Sequence, residues 1–194
     1  MQAVIVYESV YGNTRTIAEA IAEGVRESRP DATVSCLPVA EAGPDVTRTA
    51  DLLVIGGPTH VYGMTTGPSR RMARLAATMA EGDEQAAHAS GPEVGPGLRT
   101  WFHSLPNTEP GTHAAAFDTR ADMLMSGGAA HGIARRLAHH HYDLVADPEG
   151  FIVEGTEGPL RTGERERAVA WGAGLTRRPH PPSGTSYGPG PGGS

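Results

Sequence analysis

The sequence predicts a single α/β domain in which a parallel sheet is packed against helices. Short apolar runs rich in β-branched residues, such as 3–7 and 51–55, are typical of strands buried on both faces. Amphipathic stretches alternate with these runs, which favours β-α-β units over two separate modules. A length of 194 residues suffices for one domain with its own core.

The same periodicities predict each element in chain order. The strands are 2–7, 33–38, 51–56, 113–118 and a fifth at either 142–146 or 151–153. The helices are 14–27, 68–79, 98–104, 128–139 and 163–175, the fourth of them capped by Ser126. Residues 80–97 contain several Gly and Pro residues and predict a surface loop. The domain is expected to span 1–176, because Pro, Gly and Ser dominate 177–194 and predict a disordered tail.

The first turn has the chemistry of a phosphate cradle. It follows the first strand, opens the first helix and consists of Ser9, Val10, Tyr11, Gly12, Asn13 and Thr14. The first backbone N–H groups of a helix have no partner within the helix, and the helix dipole adds partial positive charge there. Hydroxyl and amide side chains supply further donors, and Gly12 lets the backbone curve around an anion.

The composition of the turn restricts the kind of phosphate. The chain contains no lysine, which excludes a nucleoside triphosphatase loop, and the turn has one glycine where a dinucleotide fingerprint needs three. A phosphorelay receiver domain is excluded as well, since it needs a lysine and an Asp at the end of the third strand, where Gly56 and Gly57 stand. The remaining prediction is a monophosphate site built from uncharged donors.

The turn resembles the first flavin loop of the flavodoxin family, which has the pattern Ser/Thr-x-Thr/Tyr-Gly-Asn-Thr. The resemblance extends to about residue 176. It implies a doubly wound, five-stranded parallel sheet of order 2-1-3-4-5, with FMN as the cofactor. It assigns the whole turn, from Ser9 to Thr14, to cofactor binding.

A second loop supports the resemblance. Residues 56–64 follow the third strand, and flavodoxin-like families carry a Gly-x-Pro-Thr/Val-His/Trp/Tyr pattern there that contacts the isoalloxazine ring. The tandem Gly56 and Gly57 are expected to permit close approach of the backbone to that ring. The resemblance assigns six residues to the cofactor: Pro58, Thr59, His60, Val61, Tyr62 and Gly63.

A third loop is expected after the fourth strand. Thr119 and Arg120 are predicted cofactor contacts, whereas Asp118 is either a ligand contact or a loop or cap residue. Short flavodoxins place an aromatic residue soon after this strand, and none stands near it here. The Phe-Asp-Thr-Arg ending instead resembles a group of flavodoxin-family proteins common in high-GC bacteria.

Other features predict no further site. Adjacent residues on a helix point about 100° apart, so His139, His140 and His141 are not expected to hold one metal ion. Cys36 is the only cysteine and is expected in the core. The net charge of −6 argues against nucleic-acid binding. The chain has neither a membrane-spanning stretch nor a signal peptide, so we expect a cytoplasmic location.

These observations favour a small FMN-binding electron carrier that has no catalytic residue of its own. The redox partner is a protein or a small-molecule acceptor of unknown identity. Two alternatives stay open: an NAD(P)H-dependent quinone or nitro-compound reductase that uses FMN, and a flavodoxin-fold binding or regulatory protein without flavin. Arg70 and Arg120 are expected to make the flavin potential less negative than that of a typical flavodoxin.

Overall fold

The structure is a computed structural model, and it describes residues 1–60, 63–64, 97–109, 111–122, 128–155 and 158–177. Several features predicted from the sequence lie outside these residues. They are helix 68–79, loop 80–97 apart from Gly97, Arg70, Ser126 and the tail from residue 178.

One sheet forms the centre of the molecule. Its strands are β1 (Gln2–Tyr7), β2 (Thr33–Pro38), β3 (Leu52–His60), β4 (Gly63–Met64), β5 (His113–Ala121), β6 (Asp143–Leu144) and β7 (Glu149–Val153). The order is β2-β1-β3-β5-β6, with β4 antiparallel on β3 and β7 parallel on β5. Because β6 and β7 pair with successive parts of β5, together they form the fifth parallel strand, and the predicted order 2-1-3-4-5 is confirmed.

Helices pack on both faces of the sheet. They are α1 (Asn13–Ser28), α2 (Pro44–Arg48), α3 (Leu98–Trp101), α4 (Ala129–His139) and α5 (Glu164–Leu175). One apolar core holds the buried residues of α1 and α5, and a second core on the opposite face holds those of α3 and α4. α1 and α5 approach closely because glycines stand at the contact: a Cβ at Gly172 would lie 2.3 Å from the carbonyl oxygen of Ile21.

The structure corrects several predicted boundaries. Helix 98–104 is shorter than predicted, since α3 ends at Trp101, and α2 was not predicted at all. β3 and β5 run further than predicted, because β4 extends the pairing of β3 and β7 extends that of β5. Both candidate positions for the fifth strand are partly right, since each contains one of its two segments. In the described part of the chain, no helix has the length and apolar character needed to cross a membrane.

Candidate functional site

The turn between β1 and α1 leaves the amino terminus of α1 open. Gly12 precedes the helix with φ of 85°, a left-handed conformation that favours glycine. Among the described residues, no side chain caps the helix, and its first turn contains no acidic residue. Ser9 Oγ accepts the N–H of Gly12 at 3.1 Å and thereby shapes the turn. The free N–H groups and the helix dipole make this end of α1 suitable for an anion.

Two side chains of the turn are held by distant parts of the chain. Asn13 Nδ2 donates to the carbonyl oxygen of Gly158 at 2.7 Å, and Thr14 Oγ1 lies 2.7 Å from Thr119 Oγ1. The two threonines are 2% and 5% exposed. Only one hydroxyl hydrogen can lie between two hydroxyl oxygens, so the pair keeps one O–H group to donate elsewhere. The Thr14–Thr119 pair therefore connects the turn to β5.

The second predicted loop begins as an extension of β3. Pro58 lies opposite Thr119 of β5, and Thr59 and His60 pair with Met64 and Gly63. Val61 and Tyr62 lie outside the described residues. Because β1, β3 and β5 are adjacent and parallel, their carboxyl ends meet at one edge of the sheet. The described residues of all three predicted segments therefore lie at that edge.

The tandem glycines of β3 make room for packing. A Cβ at Gly56 would lie 2.0 Å from Cζ of Phe117, and one at Gly57 would lie 2.7 Å from Cδ1 of Leu98. A side chain at Gly56 would overlap the Phe117 ring, and one at Gly57 would push against the end of the Leu98 side chain. These contacts give both glycines a role in packing, and their close approach to the flavin ring stays a prediction.

Asp118 and Thr59 cap α4 together. Asp118 Oδ2 accepts the Thr59 hydroxyl at 3.0 Å and the N–H of Ala130 at 2.9 Å. Thr59 Oγ1 in turn accepts the N–H of Ala129 at 2.8 Å. The residue at the cap position of α4 is Gly128, and Ser126, which the sequence predicts as the cap, lies outside the described residues. A side chain at residue 128 would collide with the carboxylate that replaces the local cap, since a Cβ there would lie 2.2 Å from Asp118 Oδ2.

Asp118 is a buried carboxylate whose loss of water is only partly compensated by hydrogen bonds and a neighbouring charge. Its side chain is 0% exposed, Oδ1 has no hydrogen-bond partner among the described residues, and Arg120 Nε lies 3.8 Å from Oδ1. Burial raises the pKa of Asp118 above its ordinary value, opposed by the hydrogen bond from Ala130 and the charge of Arg120. The sequence left Asp118 as either a loop or cap residue or a ligand contact, and in the structure its side chain caps α4.

Thr119 and Arg120 point to opposite faces of β5. Thr119 reaches the first turn, whereas the Arg120 guanidinium lies beside Gly150, where a Cβ would be 2.5 Å from its Cζ. The structure thus brings Thr119, but not the Arg120 guanidinium, to the α1 side of the sheet. The positive charge of Arg120 stands next to the negative charge of Asp118.

Glu8 is a buried carboxylate that the sequence analysis missed. It directly follows β1, is 2% exposed, and its Oε2 accepts the N–H of Leu98 at 3.0 Å. It therefore holds the first residue of α3 against the end of β1. The signal in the sequence was a charged residue placed between an apolar strand and the phosphate-type turn.

Comparison with known proteins relates this architecture to one family. Residues 4–67 match the family described as "Flavodoxin domain", a segment that includes the first turn and the second loop. A search of curated protein sequences finds no match.

Similar solved structures cover most of the chain. A flavodoxin from the domain Archaea is 20% identical with a TM-score of 0.57, covering 90% of this chain and 96% of its own. Flavodoxin 2 from Bacillus cereus is 16% identical with a TM-score of 0.61, covering 90% and 97%. Two-electron reduced flavodoxin from Megasphaera elsdenii is 16% identical with a TM-score of 0.55, covering 89% and 98%. The chain has a flavodoxin-like fold.

The described residues form no cluster of His, Cys, Asp or Glu that is able to hold a metal ion. His140 instead stacks on Phe102, with ring centroids 6.2 Å apart. Cys36 is partly exposed on β2 rather than fully buried in the core, and burial still raises its pKa to about 11.

Proposed function

We propose that this flavodoxin-like protein binds FMN and carries electrons between other molecules. The observation that carries the proposal is the uncapped amino terminus of α1 at the Ser9–Thr14 turn, beside the Thr14–Thr119 pair. A phosphomonoester fits these donors, because they are uncharged N–H and O–H groups and the first helical turn contains no carboxylate to repel it.

The chain would hold FMN at both ends. Ser9, Val10, Tyr11, Gly12, Asn13 and Thr14, together with Thr119, are proposed to bind the phosphate. Pro58 to Gly63 are proposed to lie along the ring, with the backbone of β3 contributing because the Thr59 hydroxyl already bonds Asp118 and Ala129. When bound, FMN supplies the electron-transfer chemistry, and the protein supplies position and electrostatics.

The charges near the proposed site bear on the redox potential expected for the flavin. Arg120 was expected to make the flavin potential less negative, but its charge is offset by Asp118 at 3.8 Å. When a carboxylate and a guanidinium lie so close together, their opposite charges largely cancel in the electrostatic potential felt by a more distant group. We therefore expect the contribution of Arg120 to the potential to be small, and Arg70 lies outside the described residues.

Reconstitution with FMN tests the proposal. Purified protein is incubated with FMN, desalted and examined by absorbance, and NADH and NADPH oxidation is then followed with a quinone as acceptor. Support requires retained flavin absorbance, release of FMN on denaturation and only slow nicotinamide oxidation by the protein alone. Rapid turnover would replace the electron carrier with the reductase alternative, and failure to retain FMN would leave the flavin-free binding protein. The redox partner and the cytoplasmic location stay predictions.

A further inference from the structure

α4 presents a basic surface on an acidic protein. Residues 129–142 contain two arginines, four histidines and no acidic residue, although the whole chain has a net charge of −6. His131, Arg135 and His139 are exposed along the helix. A local surface of this sign attracts an acidic partner even when the net charge of the protein is negative.

An open apolar groove runs beside this helix. It has a volume of about 500 Å³ and lies between α4 and the chain that leads from β6 towards β7. Its lining consists of Ala134, Ala138, Leu144 and Pro148, with His131 and Arg135 as the polar members. An apolar groove bordered by an arginine and a histidine is suited to a partner that places an apolar side chain beside an acidic one.

Arg135 is available to a partner. It is exposed and forms no ion pair within the described residues, whereas the neighbouring Arg136 lies over the ring of Phe102, 5.6 Å from its centroid. Asp143 and Asp147 follow α4 and are exposed, and neither forms an ion pair with Arg135 in the described part of the chain. A carboxylate of a partner can therefore pair with Arg135.

The groove begins close to the proposed flavin site. The first two residues of α4, Ala129 and Ala130, donate to Thr59 and Asp118 at the carboxyl edge of the sheet. His131 follows them directly and lines the groove. A partner seated along α4 would thus have one end near the segment proposed to contact the ring.

We propose that the exposed face of α4 and the groove beside it form a docking surface for a small acidic electron-transfer protein. The apolar lining favours a protein over a nucleic acid, which would need a larger set of cations to neutralise its phosphates. Electron exchange at this surface rests on the proposed function, whereas the docking itself does not require flavin.

Nuclear magnetic resonance of the ¹⁵N-labelled protein tests the docking surface, with a plant-type [2Fe–2S] ferredoxin as the acidic probe. We expect amide shifts at groove residues such as Ala134, Ala138 and Leu144. Arg135→Glu should raise the Kd by about fivefold or more at low salt, because it replaces attraction with repulsion. Ala138→Phe should also raise the Kd, because it fills the groove without changing the charge.

Controls separate specific docking from general electrostatics. Arg48→Glu on α2 makes the same charge change at an exposed position and should alter the Kd less than about twofold. Absent shifts, shifts mainly outside α4 and the groove, or equal effects of the α2 and α4 variants would overturn the proposal. Equally tight binding of a DNA duplex at the same amides would also overturn it. If the protein retains FMN but does not bind the ferredoxin, the docking surface is refuted and the proposed function is not. If it binds the ferredoxin but not FMN, the proposed function is refuted and the docking surface is not.

Discussion

Replacing Asp118 by leucine should destabilise the protein strongly. The change keeps a side chain of similar size but removes the acceptor of the Ala130 N–H at 2.9 Å and of the Thr59 hydroxyl at 3.0 Å. Each buried donor left without a partner costs about 1–3 kcal/mol. Leucine also removes the penalty of burying a carboxylate, which offsets part of this cost. We therefore expect a loss of about 2–4 kcal/mol in the free energy of unfolding.

Asp118→Asn is the matched control, because its carbonyl oxygen can still accept both hydrogen bonds. We expect it to lose less than about 1 kcal/mol at pH 7. Urea unfolding of the flavin-free protein, followed by circular dichroism, measures both variants. An Asn variant as unstable as the Leu variant, or a Leu variant as stable as the wild type, would refute the capping role.

The pH dependence of stability, compared between the wild type and Asp118→Asn, tests the effect of burial on the Asp118 carboxylate. Burial raises the folded-state pKa of Asp118 above the ordinary value of 3.8, so the folded protein binds the proton more tightly than the unfolded chain. The contribution of Asp118 to stability is therefore greatest below the unfolded pKa and is lost as the pH rises through the folded pKa. The Asn variant lacks this loss, so its stability relative to wild type should improve over that pH window. A difference that does not change with pH would contradict the raised pKa.

Three further predictions follow from close contacts and burial. Gly172→Ala should cost about 1–3 kcal/mol, because its Cβ would lie 2.3 Å from the Ile21 carbonyl oxygen. Gly174→Ala should be neutral or stabilising, because its Cβ would meet no atom of the described residues within 4 Å. Equal urea midpoints for the two variants would contradict this packing. The Cys36 thiol has a pKa of about 11 and should react much more slowly with a disulfide reagent at pH 8 than free cysteine does. Labelling at the rate of free cysteine would refute the burial. Burial lowers the pKa of His140, so its ring proton should titrate below 6.5 by nuclear magnetic resonance, and a midpoint above 6.5 would refute the environment described.

The sequence was sufficient for features that depend on local pattern. The β-branched run of β1, the apolar spacing of α1 and the Gly12 turn between them are adjacent in the chain, and all were predicted within two residues. The sheet order also followed, because the motif resembles a family with a known topology. The boundaries of β3 and β5 were not predicted, since their last residues are strands only because β4 and β7 pair with them.

The contacts that organise the site were beyond the sequence because they join distant residues. Asn13 and Gly158 are 145 positions apart, and Thr59 and Asp118 are 59 apart. No local pattern shows that side chains of two strands, β3 and β5, cap α4. The packing role of the tandem glycines of β3 was missed for a similar reason, since the side chain that fills the space at Gly56 comes from Phe117 on the next strand.

Calorimetric titration of the flavin-free protein with FMN and with riboflavin tests the central claim most directly. The two ligands share the ring system and differ in the phosphate, for which the open end of α1 is the proposed site. Charge-assisted hydrogen bonds to that phosphate should be worth about 3 kcal/mol or more in total, so FMN should bind one to one and about 100-fold more tightly than riboflavin. Equal affinities for the two flavins, or no heat with FMN, would contradict the account.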